Sequence, residues 1–351
     1  MLFKKLWRTM GLYKAQFISM IIMIAIGVGM FVGFNAEWMS IQKNTSKFFN
    51  NTKLADYHVV TTEATGFTKE DVEKIKGIDG VQAATRFISA NVEISERSGD
   101  ALALNVSEDF TVSTFVLTGE GKDYDAADEN GVWLSETYAA ENDFKVGDQI
   151  TLVYKSVIKF EGKVVGLIKS GENMVCVRDE TQLMPDYEKF GYAFVSPAFY
   201  KKACNAVNMG DGIYSYINVR SDLDKKVFKE KVNDALGKTT LVLSKDESTS
   251  YAAAKSETEE GQTMGSILPV VFLLIAVLTM VTTMHRITAK EKTQIGILKA
   301  LGFKNKRILV HYSSYAFMVG LLGSAIGIGL GYFIAWFIMN PNGSMGTYFD
   351  M

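Results

Sequence analysis

Long parts of this chain of 351 residues contain no charged side chain. Residues 15–36, 261–285 and 308–349 contain no Asp, Glu, Lys or Arg. Charged residues make up 22% of the chain, so gaps of this length argue against a purely soluble protein and exclude a disordered one. The formal net charge of −2 excludes a strongly basic nucleic-acid-binding protein. The chain has only two cysteines, which excludes a disulfide-dense small protein.

Each uncharged stretch contains a run long enough to cross a bilayer, for which a helix needs about 20 apolar residues. We assign the spans to residues 15–36, 266–285 and 308–339. Three buried helices of a soluble protein are the alternative. For the first span a signal peptide is also an alternative, but its apolar run exceeds the usual length of about 7–15 residues. A retained membrane anchor is therefore favoured.

The charges beside the spans predict their orientation. Residues 1–16 and 286–307 together carry eleven cations and one acid, a net charge of +10. Residues 37–265 carry 26 cations and 37 acids, a net charge of −11. Because cytoplasmic segments are enriched in Lys and Arg, we expect the first two segments inside the cell and the acidic segment outside. The acidic surface serves solubility or attracts cationic ligands.

Two further features are typical of a membrane protein. Residues 1–14 predict an interfacial amphipathic helix, with Trp7 at the level of the lipid headgroups. Small residues four apart in the spans predict close helix packing, either within the chain or with a second copy. These packing residues are Gly29 and Gly33 in the first span and Gly323, Gly327 and Gly331 in the third.

The acidic segment predicts an α+β extracytoplasmic core domain over residues 54–245. Helical stalks, residues 37–53 and 246–265, join it to the first two spans. Residues 100–212, approximately, are mostly strand-like, with Gly162 in a turn, and predict an inserted subdomain. The predicted fold class is an α-helical membrane protein with an α+β extracytoplasmic domain, in which ferredoxin-like βαβ repeats and a β-rich inserted subdomain stand on a helical stalk.

A β-α-β unit is predicted on each side of the insert. The first begins with strand-like residues 56–62, followed by a helix that Thr68 caps with Asp71 in the capping-box position. The second begins with strand-like residues 214–219, and its helix ends at Gly237. Two such units predict a split, ferredoxin-like domain.

The two cysteines, Cys176 and Cys204, both fall in the extracytoplasmic segment. A disulfide is permitted there but not required. A bridge would close a loop of about 29 residues and contribute roughly 3–4 kcal/mol on the chain-entropy model. Two free thiols are the alternative, and the sequence does not decide between them.

No residue pattern predicts catalysis, a metal site or a cofactor site. The chain contains no CxxC, HExxH or GxxxxGK[ST] motif, so no nucleotide-hydrolysing site is expected. His58, His285 and His311 are scattered along the chain, and a structural role is expected for each. The absence of acids and of Lys and Arg from the spans argues against an ion-coupled carrier.

Residues 286–307, between the second and third spans, predict a short amphipathic cytoplasmic helix followed by a cationic loop. Gly302 supplies its C-terminal cap. This helix either lies on anionic lipid or receives force from a cytoplasmic partner. The residues that define its face, three or four apart, are Ile287, Glu291, Ile295, Leu298 and Leu301.

The run EKTQIGILKALG, residues 291–302, resembles the signature of the FtsX/MacB-like permeases, which are membrane subunits of ATP-binding-cassette (ABC) systems. Glu291 matches the first of two acids that are usual in that signature, whereas Gln294 stands where the second is common. Residues 131–148 resemble the extracytoplasmic core of the family, and residues 16–29 resemble the opening of its long, two-repeat members.

The resemblance implies a permease subunit driven by a separate cytoplasmic ABC ATPase. ATP hydrolysis would move the extracytoplasmic domain for the export or release of a peptide, drug or lipoprotein. Regulation of cell-wall hydrolases, or a membrane-anchored sensor or binding protein, are the alternatives. No enzymatic activity and no cofactor are implied for this chain, since ATP would bind the partner. By position, the residues facing the ATPase are Glu291, Ile295, Leu298, Lys299, Ala300, Leu301 and Gly302.

The resemblance also implies the surroundings of the chain. The expected location is a bacterial plasma or inner membrane, with several spans and a cytoplasmic N-terminus. Further expected partners are membrane lipids, a second permease half or copy, and an unidentified extracytoplasmic substrate, but not nucleic acid. The family half-unit has four spans, and residues 340–351 form an extracytoplasmic tail where a fourth span is missing. We therefore expect either a truncated chain or the first half of a longer permease.

Overall fold

The computed structural model describes residues 2–155, 158–179, 181–182, 184–237, 239–339 and 348–351. The chain divides into two compact units. The membrane unit comprises Met1–Gln42 and Ser256–Gly343, and the sheet unit comprises Lys43–Lys255 and Ser344–Met351.

Helices and strands in the described residues follow one another along the whole chain. The helices are α1 (Leu2–Leu12), α2 (Lys14–Asn51), α3 (Lys69–Lys76), α4 (Glu136–Glu141), α5 (Pro197–Asn205), α6 (Lys225–Leu236), α7 (Thr249–Lys290), α8 (Lys292–Ala300) and α9 (Asn305–Ile338). The strands are β1 (Tyr57–Val60), β2 (Val81–Ile94), β3 (Arg97–Ser107), β4 (Phe115–Leu117), β5 (Gly131–Ser135), β6 (Gln149–Tyr154), β7 (Ile158–Ser170), β8 (Phe190–Val195), β9 (Tyr216–Ser221) and β10 (Leu241–Ser244).

Three helices, α2, α7 and α9, are long and apolar enough to cross a membrane. α2 and α7 contain the first two predicted spans, and α9 contains all of the third except its last residue, Met339. The 38 residues of α2 extend over about 57 Å at 1.5 Å per residue, which exceeds the roughly 30 Å of a hydrocarbon core. The helix therefore continues through the first predicted stalk without a break, and α7 begins within the second predicted stalk.

The N-terminal helix α1 is amphipathic, as its sequence predicts. Trp7 is 51% exposed, whereas Leu6 and Met10 are buried. Both buried side chains belong to an apolar cluster that includes Phe17 of α2 and Tyr312 of α9. Leu6 and Met10 therefore pack on the protein, whereas Trp7 remains exposed.

The glycines of α9 pack against α2 within the membrane unit. A Cβ added at Gly327 would lie 2.7 Å from Val28 Cβ, and one added at Gly331 would lie 2.6 Å from Val32 Cβ. A Cβ at Gly323 would meet Ile24 Cγ2 at 2.7 Å. Distances this short mean that only glycine lets the two helices approach so closely.

The glycines of α2 complete the same contact. Added Cβ atoms at Gly29 and Gly33 would lie 3.0 Å from Leu330 Cδ2 and from Ile334 Cγ2, respectively. The predicted packing ridges of the two helices therefore face each other inside one chain. Of the two kinds of packing that the sequence allows, this contact is the one within the chain.

The sheet unit is built on a ten-stranded sheet of order β10-β1-β9-β2-β3-β8-β5-β7-β4, with β6 paired to β2 and β7. Its first four positions are antiparallel neighbours formed by two β-α-β units, β1-α3-β2 and β9-α6-β10. This order is that of a ferredoxin-like domain and confirms the predicted repeat. Helices α3 and α6 contribute Ile75 and Phe228 to the core of this half, where Phe228 stacks on Tyr57.

The insert differs from the prediction in two respects. It is not a separate sheet, because β3 pairs with the second half of the 14-residue β2 and extends the same sheet. In addition, Gly162 does not lie in a turn but in the middle of β7, which pairs with β6 on one side and β5 on the other. An added Cβ at Gly162 would lie 2.6 Å from Val132 Cγ2, so the glycine permits close packing rather than a chain reversal.

The disulfide alternative is not realised, because both cysteines are free and buried. Cys176 belongs to an aromatic cluster with Tyr187 and Tyr192. Cys204 instead lies on α5, close to Gly212. Each thiol therefore packs in a different part of the sheet unit.

Residues 340–347 of the predicted tail lie outside the described residues, but residues 348–351 pack into the sheet unit. The buried carboxylate of Asp350 accepts hydrogen bonds from Thr137 Oγ1 at 2.7 Å and from the Tyr192 hydroxyl at 2.8 Å. Its backbone N–H donates to Met174 O at 2.8 Å. Burial raises the pKa of the Asp350 carboxyl above its usual value.

Candidate functional site

The segment between α7 and α9 forms a short helix bounded by two breaks. α7 ends at Lys290, and Glu291 has φ −91° and ψ 11° before α8 begins. At the other end, Gly302 adopts φ +83°, a left-handed conformation that glycine adopts without a Cβ penalty. The N–H of Phe303 then donates to Leu298 O at 3.1 Å, as expected at a glycine-terminated helix end.

One face of α8 packs into the membrane unit. Ile295 and Leu298 are half-buried and, with Phe303, contact the apolar cluster that contains Ile287 and Ile308. These two residues of α8 were predicted to face a partner. They instead hold the helix against α7 and α9.

The opposite face of α8 is open. Ile297 is 55% exposed and Leu301, the C-cap residue, is 70% exposed. Ala300 is also exposed and lies on the same side of the helix. Lys299 and Gly302, both in the predicted set, are also exposed. The outward apolar surface of α8 is therefore formed by Ile297, Ala300 and Leu301.

Ile297 was not among the residues predicted to face a partner. The signal was present, because Ile297 and Leu301 are four residues apart and form a second apolar stripe beside that of Ile295 and Leu298. Periodicity alone does not tell which of two stripes on one short helix faces the protein.

Glu291 is buried and does not face a partner, which corrects its predicted position. One carboxylate oxygen accepts a hydrogen bond from Thr9 Oγ1 at 3.4 Å, and the other accepts one from the Tyr312 hydroxyl at 2.6 Å. Thr9 belongs to α1 and Tyr312 to α9. The carboxylate therefore ties three elements together at the start of α8.

Cations lie beside the C-terminal end of the outward face of α8. Lys304, Lys306 and Arg307 are exposed at the loop and the first turn of α9. With Leu301 and Phe303 they line a shallow depression of about 640 Å³. The arrangement combines an apolar centre with a positive rim, which suits a protein partner with an acidic surface.

The three histidines lie on different elements. His285 is exposed on α7, and His311 of α9 packs edge-on against the ring of Tyr315. His58 on β1 lies 2.8 Å from Asn218 Oδ1 through Nδ1 and 3.5 Å from Glu172 Oε2 through Nε2. Across the part of the chain that the structure covers, no group of His, Cys, Asp and Glu could hold a metal ion.

Two family models match the chain. The model described as the MacB-like periplasmic core domain matches residues 17–238. The model described as the FtsX-like permease C-terminal region matches residues 266–351. The two matches together cover α2 from Phe17, the sheet unit up to residue 238, α7 from Ser266, and the helices α8 and α9.

Similar proteins and structures include the following. An uncharacterised ABC transporter permease of Methanocaldococcus jannaschii is 24% identical over 341 residues, which cover 91% of this chain and 76% of the relative. The extracellular domain of the noncanonic ABC-type transporter YknZ from Gram-positive bacteria aligns with a TM-score of 0.35 and 14% identity, over 54% of this chain and 98% of that one. The periplasmic region of MacB from Actinobacillus actinomycetemcomitans aligns with a TM-score of 0.35 and 12% identity, over 62% and 98%.

Proposed function

Because this chain belongs to the FtsX/MacB-like family of ABC transporter permeases, we propose that it couples ATP hydrolysis by a separate ATPase to movement of its sheet unit. The cargo released or exported is a peptide, drug or lipoprotein. The observation that carries the proposal is the outward apolar surface of α8, formed by Ile297, Ala300 and Leu301 on a helix with a break at each end. ATP binds the partner, and this chain contributes no catalytic residue.

The breaks on both sides of α8 allow it to move as a rigid segment. Its inner face contacts the membrane unit through Ile295 and Leu298, so a push on the outer face displaces the side chains beneath it. Glu291 passes that displacement on, because its carboxylate holds both α1 and α9 through hydrogen bonds. The two long helices α2 and α7 then carry the motion along their length.

The proposed orientation places α1 and α8 in the cytoplasm and the sheet unit outside, in a bacterial plasma or inner membrane. Support comes from the net charges of +10 and −11 on the two sets of segments. A second permease half or copy remains part of the proposal. It would contact faces other than the glycine ridge, which is occupied by α2–α9 packing.

The proposal is tested by measuring binding of the partner ABC ATPase to this chain. The gene for that ATPase is sought first in the neighbouring reading frame. We expect Leu301→Asp to weaken binding at least about tenfold, since a buried charge replaces an apolar contact at the centre of the interface. Lys292→Asp is the matched control, because it introduces the same side chain in the first turn of the same helix, away from Leu301. An acid is tolerated at a helix N-terminus.

Equal ATPase binding by the wild type and Leu301→Asp in lipid nanodiscs would contradict the proposed docking surface. Loss of binding in Lys292→Asp as well would indicate a charge effect rather than an apolar contact. If deletion of residues 292–301 left the activity of the chain intact, the alternative of a membrane-anchored sensor or binding protein would replace the proposal.

A further inference from the structure

The sheet unit contains a cavity of about 290 Å³. Its floor is the sheet face around Ile88 of β2 and Leu104 of β3. One wall is the β6–β7 hairpin, through Tyr154 and Phe160, and the opposite wall is α5 with the segment that follows it. The cavity adjoins the main apolar cluster of this part of the sheet, to which Leu104 belongs.

The chemistry of the cavity lining disfavours a charged group of an occupant inside the cavity. None of the described residues that line the cavity is Asp, Glu, Lys, Arg or His. Most of the lining is aliphatic or aromatic, and an ion without a partner would be costly to bury there. The polar groups in the lining are the hydroxyls of Ser89, Ser215, Tyr154 and Tyr200 and the thiol of Cys204.

The wall formed by α5 is held in place by its own contacts. The Tyr200 hydroxyl donates to Ile213 O at 3.0 Å and accepts from Ile213 N–H at 3.1 Å. Its ring packs edge-on against Tyr214, with centroids 5.5 Å apart. Gly212 passes this wall at φ +84°, where an added Cβ would overlap Tyr200 Cε1 and lie 3.0 Å from Cys204 Sγ. The cavity is therefore preformed and does not depend on a chance side-chain rotamer.

The size of the cavity sets the size of the occupant. An apolar cavity of about 150 Å³ holds one benzene molecule, so the space here accepts a group of about twelve carbon atoms by the same measure. Met209, which is 42% exposed and lines the cavity, supplies a flexible apolar side chain at the opening.

We propose that this cavity binds the apolar group of a small cationic amphiphile. The uncharged lining takes the apolar group, and the net charge of −11 on residues 37–265, the segment that contains the cavity, favours a positive over a negative head in the surrounding water. The identification of this amphiphile as cargo rests on the proposed function. Binding itself needs neither ATPase nor nucleotide, so the two proposals fail separately.

Cys204 provides an internal reporter of occupancy, and Cys176 provides its control. Burial raises the pKa of the Cys204 thiol, so its alkylation is slow. The reaction of the full chain in nanodiscs with N-ethylmaleimide is therefore followed over hours by mass spectrometry. An occupant at twice its Kd slows this reaction by about threefold, because only the empty third of the molecules reacts. Cys176 does not line the cavity, and the occupant should leave its reaction unchanged.

The probes are hexyltrimethylammonium, hexanesulfonate and tetramethylammonium ions. We expect hexyltrimethylammonium to protect Cys204, hexanesulfonate to protect it less, and tetramethylammonium to have no effect. Ala203→Phe should remove the protection, because Ala203 lines the cavity and the larger ring occupies it. Ala206→Phe, an exposed position just beyond the end of α5, is the matched control and should retain the protection.

Three outcomes would overturn the proposal: an unchanged alkylation rate with hexyltrimethylammonium, equal protection by the sulfonate, or protection that persists in Ala203→Phe. Met209→Cys at the opening serves as a second reporter, which keeps the measurement readable if the buried Cys204 reacts too slowly. Protection of Met209→Cys by hexyltrimethylammonium alone supports the proposal, and its absence contradicts it.

Discussion

The hydrogen bonds of Glu291 predict that its carboxylate stabilises the packing of α8 on the membrane unit. The hydrogen bond from Tyr312 to the Glu291 carboxylate is 2.6 Å long, and a bond to a charged group contributes about 1.5–3 kcal/mol. Glu291→Ala removes this acceptor. The equilibrium for release of α8 from the membrane unit should therefore shift by roughly ten- to a hundredfold, at 1.4 kcal/mol per factor of ten.

Hydrogen exchange of the α8 amides, measured in nanodiscs by mass spectrometry, reports that equilibrium. We expect faster exchange over Lys292–Ala300 in Glu291→Ala and an intermediate rate in Glu291→Gln, whose amide oxygen still accepts one hydrogen bond. Glu259→Ala, which removes an exposed carboxylate from α7, is the control. An unchanged α8 exchange rate in Glu291→Ala would refute the role given to the carboxylate.

The same variant separates docking from coupling. Because Glu291 is buried and Leu301 is exposed, Glu291→Ala should still bind the ATPase but lose stimulation of ATP hydrolysis. Loss of binding in this variant would mean that the carboxylate shapes the docking surface itself.

The glycine packing, a salt bridge in the sheet unit and a buried carboxyl group can each be tested by substitution. Gly327→Leu should lower the free energy of unfolding by about 1–3 kcal/mol, because the larger side chain overpacks the contact between α2 and α9. Gly329→Leu, where an added Cβ meets nothing within 4 Å, should leave it unchanged. Equal melting temperatures of the two variants would contradict the packing. Arg86→Ala should cost about 1.5–3 kcal/mol in chemical unfolding, because it removes the charge-assisted hydrogen bonds to both oxygens of the partly buried Glu108, while Lys69 Nζ stays 3.5 Å from Glu108 Oε1; a loss below about 0.5 kcal/mol would contradict this. The raised pKa of Asp350 means that the folded state favours the protonated form, so its contribution to stability falls as pH rises above 3.8 through the folded pKa. Asp350→Asn should remove that pH dependence in thermal unfolding, and identical pH profiles would contradict it.

The parts of the fold that follow from local pattern were predictable from the sequence. The spans were identified because charge is absent over a length that matches a bilayer. The capping box of Thr68 and Asp71 was identified because it depends only on residues three apart, and both of its hydrogen bonds are present. The repeated β-α-β units then led to the ferredoxin-like order.

Features that depend on distant packing were not predictable. Gly162 reads as a turn residue until Val132, which belongs to another strand, is placed against it. Glu291 reads as a surface acid until Thr9 of α1 and Tyr312 of α9 are placed against its carboxylate. The orientation of α8 likewise depends on which of its two apolar stripes meets the membrane unit, and Ile297 was missed for that reason.

The most direct test of the coupling proposal is photocrosslinking from α8 to the ATPase. p-Benzoylphenylalanine is introduced separately at Ile297, Leu301 and Leu298, and the full chain is irradiated with the ATPase in nanodiscs. The proposed docking surface predicts crosslinks from Ile297 and Leu301 and none from Leu298, whose side chain contacts the membrane unit. Crosslinks from Leu298 without crosslinks from Leu301 would contradict it.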